Sequence, residues 1–257
     1  QGKMGLQKYF EEIGLTHKLT PVEFFDGKTM VGPKRRENPD ATYEIVMDKE
    51  KFYFGALESG DFVYLDDHST MRLVPQIKYK IYLDLAEELL RESKAFNRQA
   101  NQAQAHDSLA ANADVASLKA RAEERKTQSL AVVDRLMEAF PKGSFPYDYG
   151  TPFVPGRSMA DVADVYIQLG QNEKAMPILH DLAELCLDDY KWVAPLLGKS
   201  EEMRFMVGRE YYDISQTIQR IIGLSEKIGD TEFSADVKAQ FEACLLYTSP
   251  SPRDATL

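Results

Sequence analysis

Two segments of the chain share one pattern, in which a glycine separates two amphipathic helical stretches. In the first, ADVYIQLGQNEKAMPILHDLAELCL, Tyr166 lies in the first stretch, and Leu169 and Gly170 form the turn. Gly170 suits the left-handed backbone that ends many helices, and Ala175 lets the second helix approach the first closely. In the second segment, RIIGLSEKIGDTEFSADVKAQFEA, Gly229 takes the place of Gly170. The pattern predicts a stack of helical hairpins.

These hairpins resemble the tetratricopeptide repeat. An earlier pair reads as IYLDLAEELLRES followed by SLAVVDRLMEAFP, which ends at Pro141, where such repeats often carry proline. The spacing is not the uniform 34 residues of that repeat, so the copies are degenerate. The predicted fold class is mostly α, with degenerate tetratricopeptide-like helical hairpins over 76–243 and a small irregular N-terminal segment.

The N-terminal segment, 1–75, is mixed in character and is expected to pack on the repeats. Within it, LQKYFEEIG predicts a short amphipathic helix, and LTHKLTPVEFF predicts extended chain. Asp40 is a plausible N-cap for a helix over ATYEIVMDKEKF.

Two insertions interrupt the hairpin pattern. Residues 97–126 are rich in Ala, Gln, Asn and charge, which predicts two helical arms that turn near His106 and Asp107. A disordered insertion is the alternative. Residues 142–157 are rich in proline, glycine and aromatic side chains and cannot be helical. This connector is either a packed link between helices or a ligand-binding loop in which Tyr147, Asp148 and Tyr149 hold a sugar or a peptide.

The sequence at the end of the chain suggests a foreign origin. Back-translation of Cys244–Asp254 is compatible with one reading frame of a common sequencing-library adapter. We therefore expect 244–257 to be an adapter-derived tail, as against a natural flexible terminus, and the natural C-terminus to be unknown. Because the chain also begins at Gln1 and not at Met, we interpret it as a fragment or a processed product.

The composition excludes several functional classes and points to no chemistry. The net charge of −10 argues against nucleic-acid binding. No apolar run is long enough to span a membrane, and the histidines and cysteines lack a metal-ligand spacing. Motifs for nucleotide binding or nucleophilic catalysis are missing as well. We therefore predict no catalytic residue, no metal and no cofactor.

A family resemblance becomes visible when four stretches are taken in order. LQKYFEEIGLTHKLTPV, VYLDDHSTMRL, SLAVVDRLMEAFPKGSFPYDY and YIQLGQNEKAMPIL resemble the C-terminal soluble region of bacterial multi-pass membrane proteins called protein O-mannosyltransferase-like, which contain a conserved domain of unknown function. The similarity runs from about residue 5 to residue 196 and is most specific over 129–183. The chain departs from the family at the arms over 97–126, which are longer, and at the tail.

The resemblance implies an extracytoplasmic, periplasmic module tethered to a membrane enzyme. In that family the catalytic acidic residue lies between early membrane spans of a part that resembles lipid-linked-sugar glycosyltransferases, so none is carried over to this chain. The module would bind a protein or peptide, such as the acceptor, on the concave face of its stack, and would meet the membrane only through the missing part. The candidate ligand-binding residues are Tyr147, Asp148, Tyr149 and Tyr166. The alternatives are a free-standing soluble tetratricopeptide scaffold and a glycan-processing site formed by the connector with Asp66–His68.

Overall fold

A computed structural model describes residues 10–13, 16–19, 24–25, 30–31, 36–37, 39–47, 67–104, 109–140 and 159–246. The chain forms two compact units. The first contains Gln1–Met71 and Ile77–Leu136, and the second contains Arg72–Gln76 and Met137–Leu257. The domain boundaries expected from the sequence stay predictions.

Most of the described residues are helical, which confirms the predicted class. The helices are α1 (Pro39–Met47), α2 (Asp67–Gln104), α3 (Leu109–Ala139), α4 (Met159–Gln168), α5 (Asn172–Val193), α6 (Glu201–Lys227) and α7 (Thr231–Leu246), with a 3-10 helix at Ala194–Gly198. The strands are short and lie before α1: β1 (Phe10–Ile13), β2 (Thr16–Leu19), β3 (Phe24–Phe25), β4 (Met30–Val31) and β5 (Arg36–Glu37).

The helix expected over LQKYFEEIG is wrong for its described part, because Phe10–Ile13 is strand β1. β1 pairs antiparallel with β2, and the register sets Glu11 opposite Lys18. On its other edge β1 pairs parallel with β5. Pairing on both edges outweighs a local helical pattern of only a few residues. The extended chain expected after it is present as β2 and β3.

In the first unit, α2 and α3 form an antiparallel hairpin. The Ser93 hydroxyl donates to the Ala122 carbonyl, and the Ser129 hydroxyl donates to the Ala86 carbonyl, each over 2.8 Å. Residues seven apart on α2 therefore lie opposite residues seven apart on α3. This spacing is the heptad of a coiled coil.

Small side chains occupy much of this heptad seam and let the two backbones approach. The fully or almost fully buried seam residues are Ala86, Ser93 and Ala100 on α2 and Val115, Ala122, Ser129 and Leu136 on α3. The helical arms expected over 97–126 are thus continuous with the hairpin that they were expected to interrupt. The turn expected at His106 and Asp107 lies outside the described residues.

Arg125 of α3 ties α1 to the hairpin. Its guanidinium bonds to both carboxylate oxygens of Asp40, with Nη2 3.0 Å from Oδ2. On the other side Nε lies 2.7 Å from Oε2 of Glu92 on α2. The hydrogen bond from Arg125 keeps the pKa of Asp40 below its usual value. Asp40 is within the first turn of α1, so the helix expected there begins about where the sequence predicts.

The second unit contains two hairpins that end their first helices in the same way. In α4–α5, Gly170 N–H donates to the Ile167 carbonyl (3.0 Å) and Gln171 N–H to the Tyr166 carbonyl (2.8 Å). In α6–α7, Gly229 and Asp230 make the equivalent bonds, over 3.1 and 2.9 Å. These are Schellman turns. Gly170 and Gly229 have φ of 78° and 84°, the left-handed conformation that the sequence predicts.

The two hairpins pack side by side with like helices parallel. Asp161 of α4 pairs with Arg220 of α6 over 2.5 Å, and Asp164, farther along α4, pairs with Lys227, farther along α6, over 3.3 Å. α4 and α6 therefore run in the same direction. α5 and α7 also run in parallel.

The contacts between α5 and α7 are aromatic. His180 stacks on Phe233 with 3.8 Å between ring centroids, and its Nε2 lies 2.7 Å from Oδ2 of Asp230. Farther along both helices, the Tyr190 ring lies 4.8 Å from that of Phe241. The Tyr190 hydroxyl also donates to the Tyr211 hydroxyl of α6 over 2.9 Å, which joins the two hairpins at this point.

Candidate functional site

Most of the ligand-binding residues expected from the sequence cannot be placed. Tyr147, Asp148 and Tyr149 lie outside the described residues, as does Pro141. No side chain of the Asp66–His68 cluster is described either. The binding roles suggested for these residues stay predictions.

Tyr166 is described, and it lies in the interior of the second unit. Only 2% of it is exposed. The Lys174 ammonium group of α5 lies 5.6 Å from the centre of its ring, a cation–π contact that joins α4 to α5. Ala175 and Leu169 are buried beside the same turn. In this packing Tyr166 holds the hairpin together and presents almost no surface to a ligand.

Exposed apolar side chains are concentrated elsewhere, where α5 ends and α6 begins. The described residues include five large apolar side chains that are exposed, and all but Met176 lie in this part. The exposed fractions are 66% for Trp192, 91% for Phe205, 74% for Met206 and 61% for Tyr212. Single exposed apolar residues are common, but a group of this size often marks an interaction site.

The lengths of the helices explain why this region is uncovered by α4. α6 has 27 residues and is about 40 Å long, whereas α4 has 10 residues and is about 15 Å long. Because α4 begins at Met159 and Asp161 already contacts Arg220, α4 runs beside the C-terminal half of α6 only. The N-terminal half of α6 extends past the first residue of α4.

We call the faces of α5 and α6 that contact α4, together with the continuation of these faces past the first residue of α4, the α4 track. The helical period shows which side chains lie on this continuation. On α5, Leu185 and Trp192 lie on the same side as Lys174, which contacts Tyr166 of α4. On α6, Met206 and Asp213 lie on the same side as Arg220, which contacts Asp161 of α4. We call this region the open surface. It consists of Leu185, Asp189 and Trp192 on α5 and of Phe205, Met206, Glu210, Tyr212 and Asp213 on α6, with Phe205 and Tyr212 on its outer flank.

Carboxylates lie among these apolar groups. Burial raises the pKa of Asp189, and the nearby carboxylates of Glu210 and Asp188 raise it further. Asp188 is paired with Lys191 over 3.0 Å, and Asp213 with Arg209 over 3.7 Å. Asp189 and Glu210 have no basic partner in the part of the chain that the structure describes. The open surface is therefore apolar with an uncompensated negative charge.

Little else in the described residues suggests chemistry. No group of three His, Cys, Asp or Glu side chains that could hold a metal ion occurs among them. Cys186 is fully buried, and burial raises the pKa of its thiol far above the usual value. A buried thiol of this kind behaves as a small apolar side chain.

Sequence reasoning missed the open surface, although one signal for it was present. The stretch EEMRFMVGREYYD has apolar residues on every side of a helix. A single sequence does not show which of them meet a neighbour, since that depends on how far α4 reaches along α6. The excess of apolar residues over what one buried face requires was the available sign.

The comparisons with known proteins give no relative for the chain. No protein-family model, no curated protein and no solved structure matches it. Over the residues that the structure describes, no helix has the length and apolar character needed to cross a lipid bilayer.

Proposed function

We propose that this chain is a non-catalytic helical module that binds a protein or peptide partner on the open surface. The observation that carries the proposal is the exposure of Phe205, Met206 and Tyr212 on one half of one helix. Aromatic side chains and methionine are enriched in protein interfaces, and the centre of an interface is depleted of charge. Tyrosine and tryptophan are also frequent among the residues that contribute most to affinity.

The architecture supports a scaffold of tetratricopeptide type. α4 and α6 are parallel neighbours, as are α5 and α7, and both hairpins have the same turn. Stacked helical hairpins of this kind bind partners along an extended helical face. The long α5 and α6 would make these repeats degenerate, because a tetratricopeptide hairpin takes about 34 residues in all.

We further propose that the module belongs to a larger membrane protein that resembles lipid-linked-sugar glycosyltransferases, and that it faces the periplasm. The support is the order of four sequence stretches that resemble the soluble end of the O-mannosyltransferase-like family. In that setting the module would hold the acceptor or a partner protein near the membrane enzyme, where tethering raises the local concentration. The runner-up is a free-standing soluble scaffold. Sequencing the source locus across both ends distinguishes them, since only the first requires membrane spans upstream of Gln1.

Photo-crosslinking tests the binding surface. A benzophenone amino acid replaces Gln216, an exposed residue of α6 close to Tyr212, and in a control chain it replaces Lys238 of α7. Both chains are expressed in the source organism within the intact protein. We expect one discrete protein adduct from position 216, its loss in a chain that also carries Phe205→Ser and Tyr212→Ser, and no such adduct from position 238. Equal labelling from both positions, or an adduct that survives both serine substitutions, would refute the proposed surface.

A further inference from the structure

The covered half of the α4 track shows how α6 recognises a helix. There, α6 presents cations, Arg220 and Lys227, and α4 supplies the carboxylates of Asp161 and Asp164. Asp161 is almost fully buried, and its oxygen lies 2.5 Å from the Arg220 guanidinium. A helix is therefore held on this track by apolar packing together with charges of opposite sign.

The uncovered half of the same track has the reverse charge. Asp189 of α5 and Glu210 of α6 interact across the two helices and have no basic partner among the described side chains. Three basic residues nearby already have partners: Lys191 pairs with Asp188, Arg209 pairs with Asp213, and Arg204 donates from Nε to the Leu197 carbonyl. Two carboxylates that interact in this way repel, so a cation close to both is stabilised by both.

The apolar side chains around this pair can accept both parts of a basic side chain. Trp192 and Met206 are more than half exposed on either side of the track, and Tyr212 lies on its flank. The stem of a lysine or arginine packs on such groups, and its charged end interacts with aromatic faces as well as with carboxylates.

We infer that the open surface binds a basic amphipathic helical segment of a partner protein, with a lysine or arginine close to Asp189 and Glu210 and apolar side chains against Trp192 and Met206. The segment lies end to end with α4 on the same track. The inference rests on the proposed protein-binding function and adds the chemistry of the partner. It is argued from the continuity of the track and from charge complementarity.

Trp192 is the single tryptophan of the chain, so its fluorescence reports on this surface alone. The probes are three synthetic amphipathic peptides of about 15 residues, long enough for the roughly 20 Å of uncovered α6. Their apolar faces are all leucine, and their polar faces are lysine, glutamate or glutamine. None contains tryptophan. We expect the leucine–lysine peptide to shift Trp192 emission to shorter wavelength in a saturable way, and the leucine–glutamate peptide to cause no shift.

Two matched double variants test the charges. Asp189→Asn with Glu210→Gln removes the two unpaired carboxylates, and Asp114→Asn with Glu123→Gln removes two exposed carboxylates of α3 in the other unit. We expect the first pair to weaken binding of the lysine peptide about threefold to tenfold. The control pair changes the net charge equally and is expected to leave affinity within about twofold at physiological salt. Circular dichroism checks that all variants are folded.

The outcomes separate this inference from the proposed function. If the lysine and glutamine peptides bind equally well, or if the two double variants bind alike, the surface does not select a basic partner and the inference is wrong. If no peptide shifts Trp192 emission, the inference is wrong again, and the crosslinks from position 216 decide independently whether another kind of partner binds there.

Discussion

At the scale of single residues, the described side chains show where charge is matched and where it is not. Arg125 is matched on two sides, by Asp40 and by Glu92. Asp161 is almost fully buried but paired with Arg220. Asp189 is the contrasting case, because burial and neighbouring carboxylates make its charged form unfavourable. A side chain that lowers the stability of the free chain can be retained because it serves binding. Asp189 is therefore a reason to look for a partner.

Replacing Asp189 by Asn is expected to stabilise the free chain at neutral pH. The pKa of Asp189 is raised in the folded state, so the folded protein holds this proton more tightly than the unfolded chain does. The charged form therefore costs stability at neutral pH, and that cost disappears as the pH falls through the raised pKa. Thermal unfolding should give a higher Tm for Asp189→Asn at pH 7 and no difference well below that pKa. A lower Tm at pH 7 would show that this carboxylate has a favourable partner.

Replacing Asp40 by Asn is expected to act in the opposite direction. The bond from Arg125 lowers the pKa of Asp40 in the folded state, so this carboxylate adds stability above its unfolded pKa and loses that contribution as the pH falls through the folded pKa. Much of Asp40 is exposed, so we expect a loss of at most about 1 kcal/mol at neutral pH. Urea unfolding of both proteins at pH 7 and at low pH measures this loss in the free energy of unfolding. A loss that is equally large at low pH would contradict the ion-pair explanation.

At the scale of helices, two structural features determine how the helices of each hairpin are arranged. In α2–α3, small seam residues and the two serine hydroxyls fix the register. In α4–α5 and α6–α7, a left-handed glycine ends the first helix and directs the chain into the second. The turn glycines were identifiable from sequence, because a glycine after an amphipathic stretch is a helix-stop signal. The serine register was not, because it depends on which residues of two distant stretches lie opposite each other.

Gly170→Ala and Gly229→Ala are expected to destabilise the chain by about 1 kcal/mol each, because an alanine side chain is strained in the left-handed region. Gly223 of α6 provides the matched control. It is inside a helix, and a Cβ placed there meets nothing within 4 Å. Gly223→Ala should therefore stabilise by about 0.5–1 kcal/mol. Chemical denaturation of the three variants measures these changes. Destabilisation by all three would show that the backbone conformation is not the cause.

Ser93→Leu is expected to disrupt the α2–α3 seam. Ser93 is buried opposite Ala122, and its hydroxyl bonds to the Ala122 carbonyl. A leucine there must push the helices apart, which costs about 1–3 kcal/mol. Ser93→Ala keeps the close approach and should cost about 1 kcal/mol or less. Chemical unfolding curves of the two variants measure the loss in the free energy of unfolding for each. A seam that tolerates leucine as well as alanine would mean that the helices are not closely packed at this level.

At the scale of the whole molecule, the sequence predicts the class of fold better than the site. The helical hairpins and their turns follow from local periodicity and from glycine. The strand at Phe10–Ile13 does not, because its pairing with β2 and β5 decides it. The open surface could not be predicted either, since its exposure arises from a difference in length between α4 and α6 that only the packed arrangement shows. The binding roles suggested for Tyr147, Asp148 and Tyr149 stay predictions.

Hydroxyl-radical footprinting tests the central claim, that the open surface is uncovered in the free chain and covered by a partner. The purified chain and the intact protein in its own cells are oxidised under the same conditions and analysed by mass spectrometry. Met206 and Trp192 report on the surface, buried Met159 is the negative control, and Met176, exposed on another part of α5, is the positive control. We predict strong oxidation of Met206 and Trp192 in the purified chain and protection of both in cells, with Met176 unchanged. Equal oxidation of Met206 and Trp192 in both settings, or protection already in the purified chain, would contradict the claim.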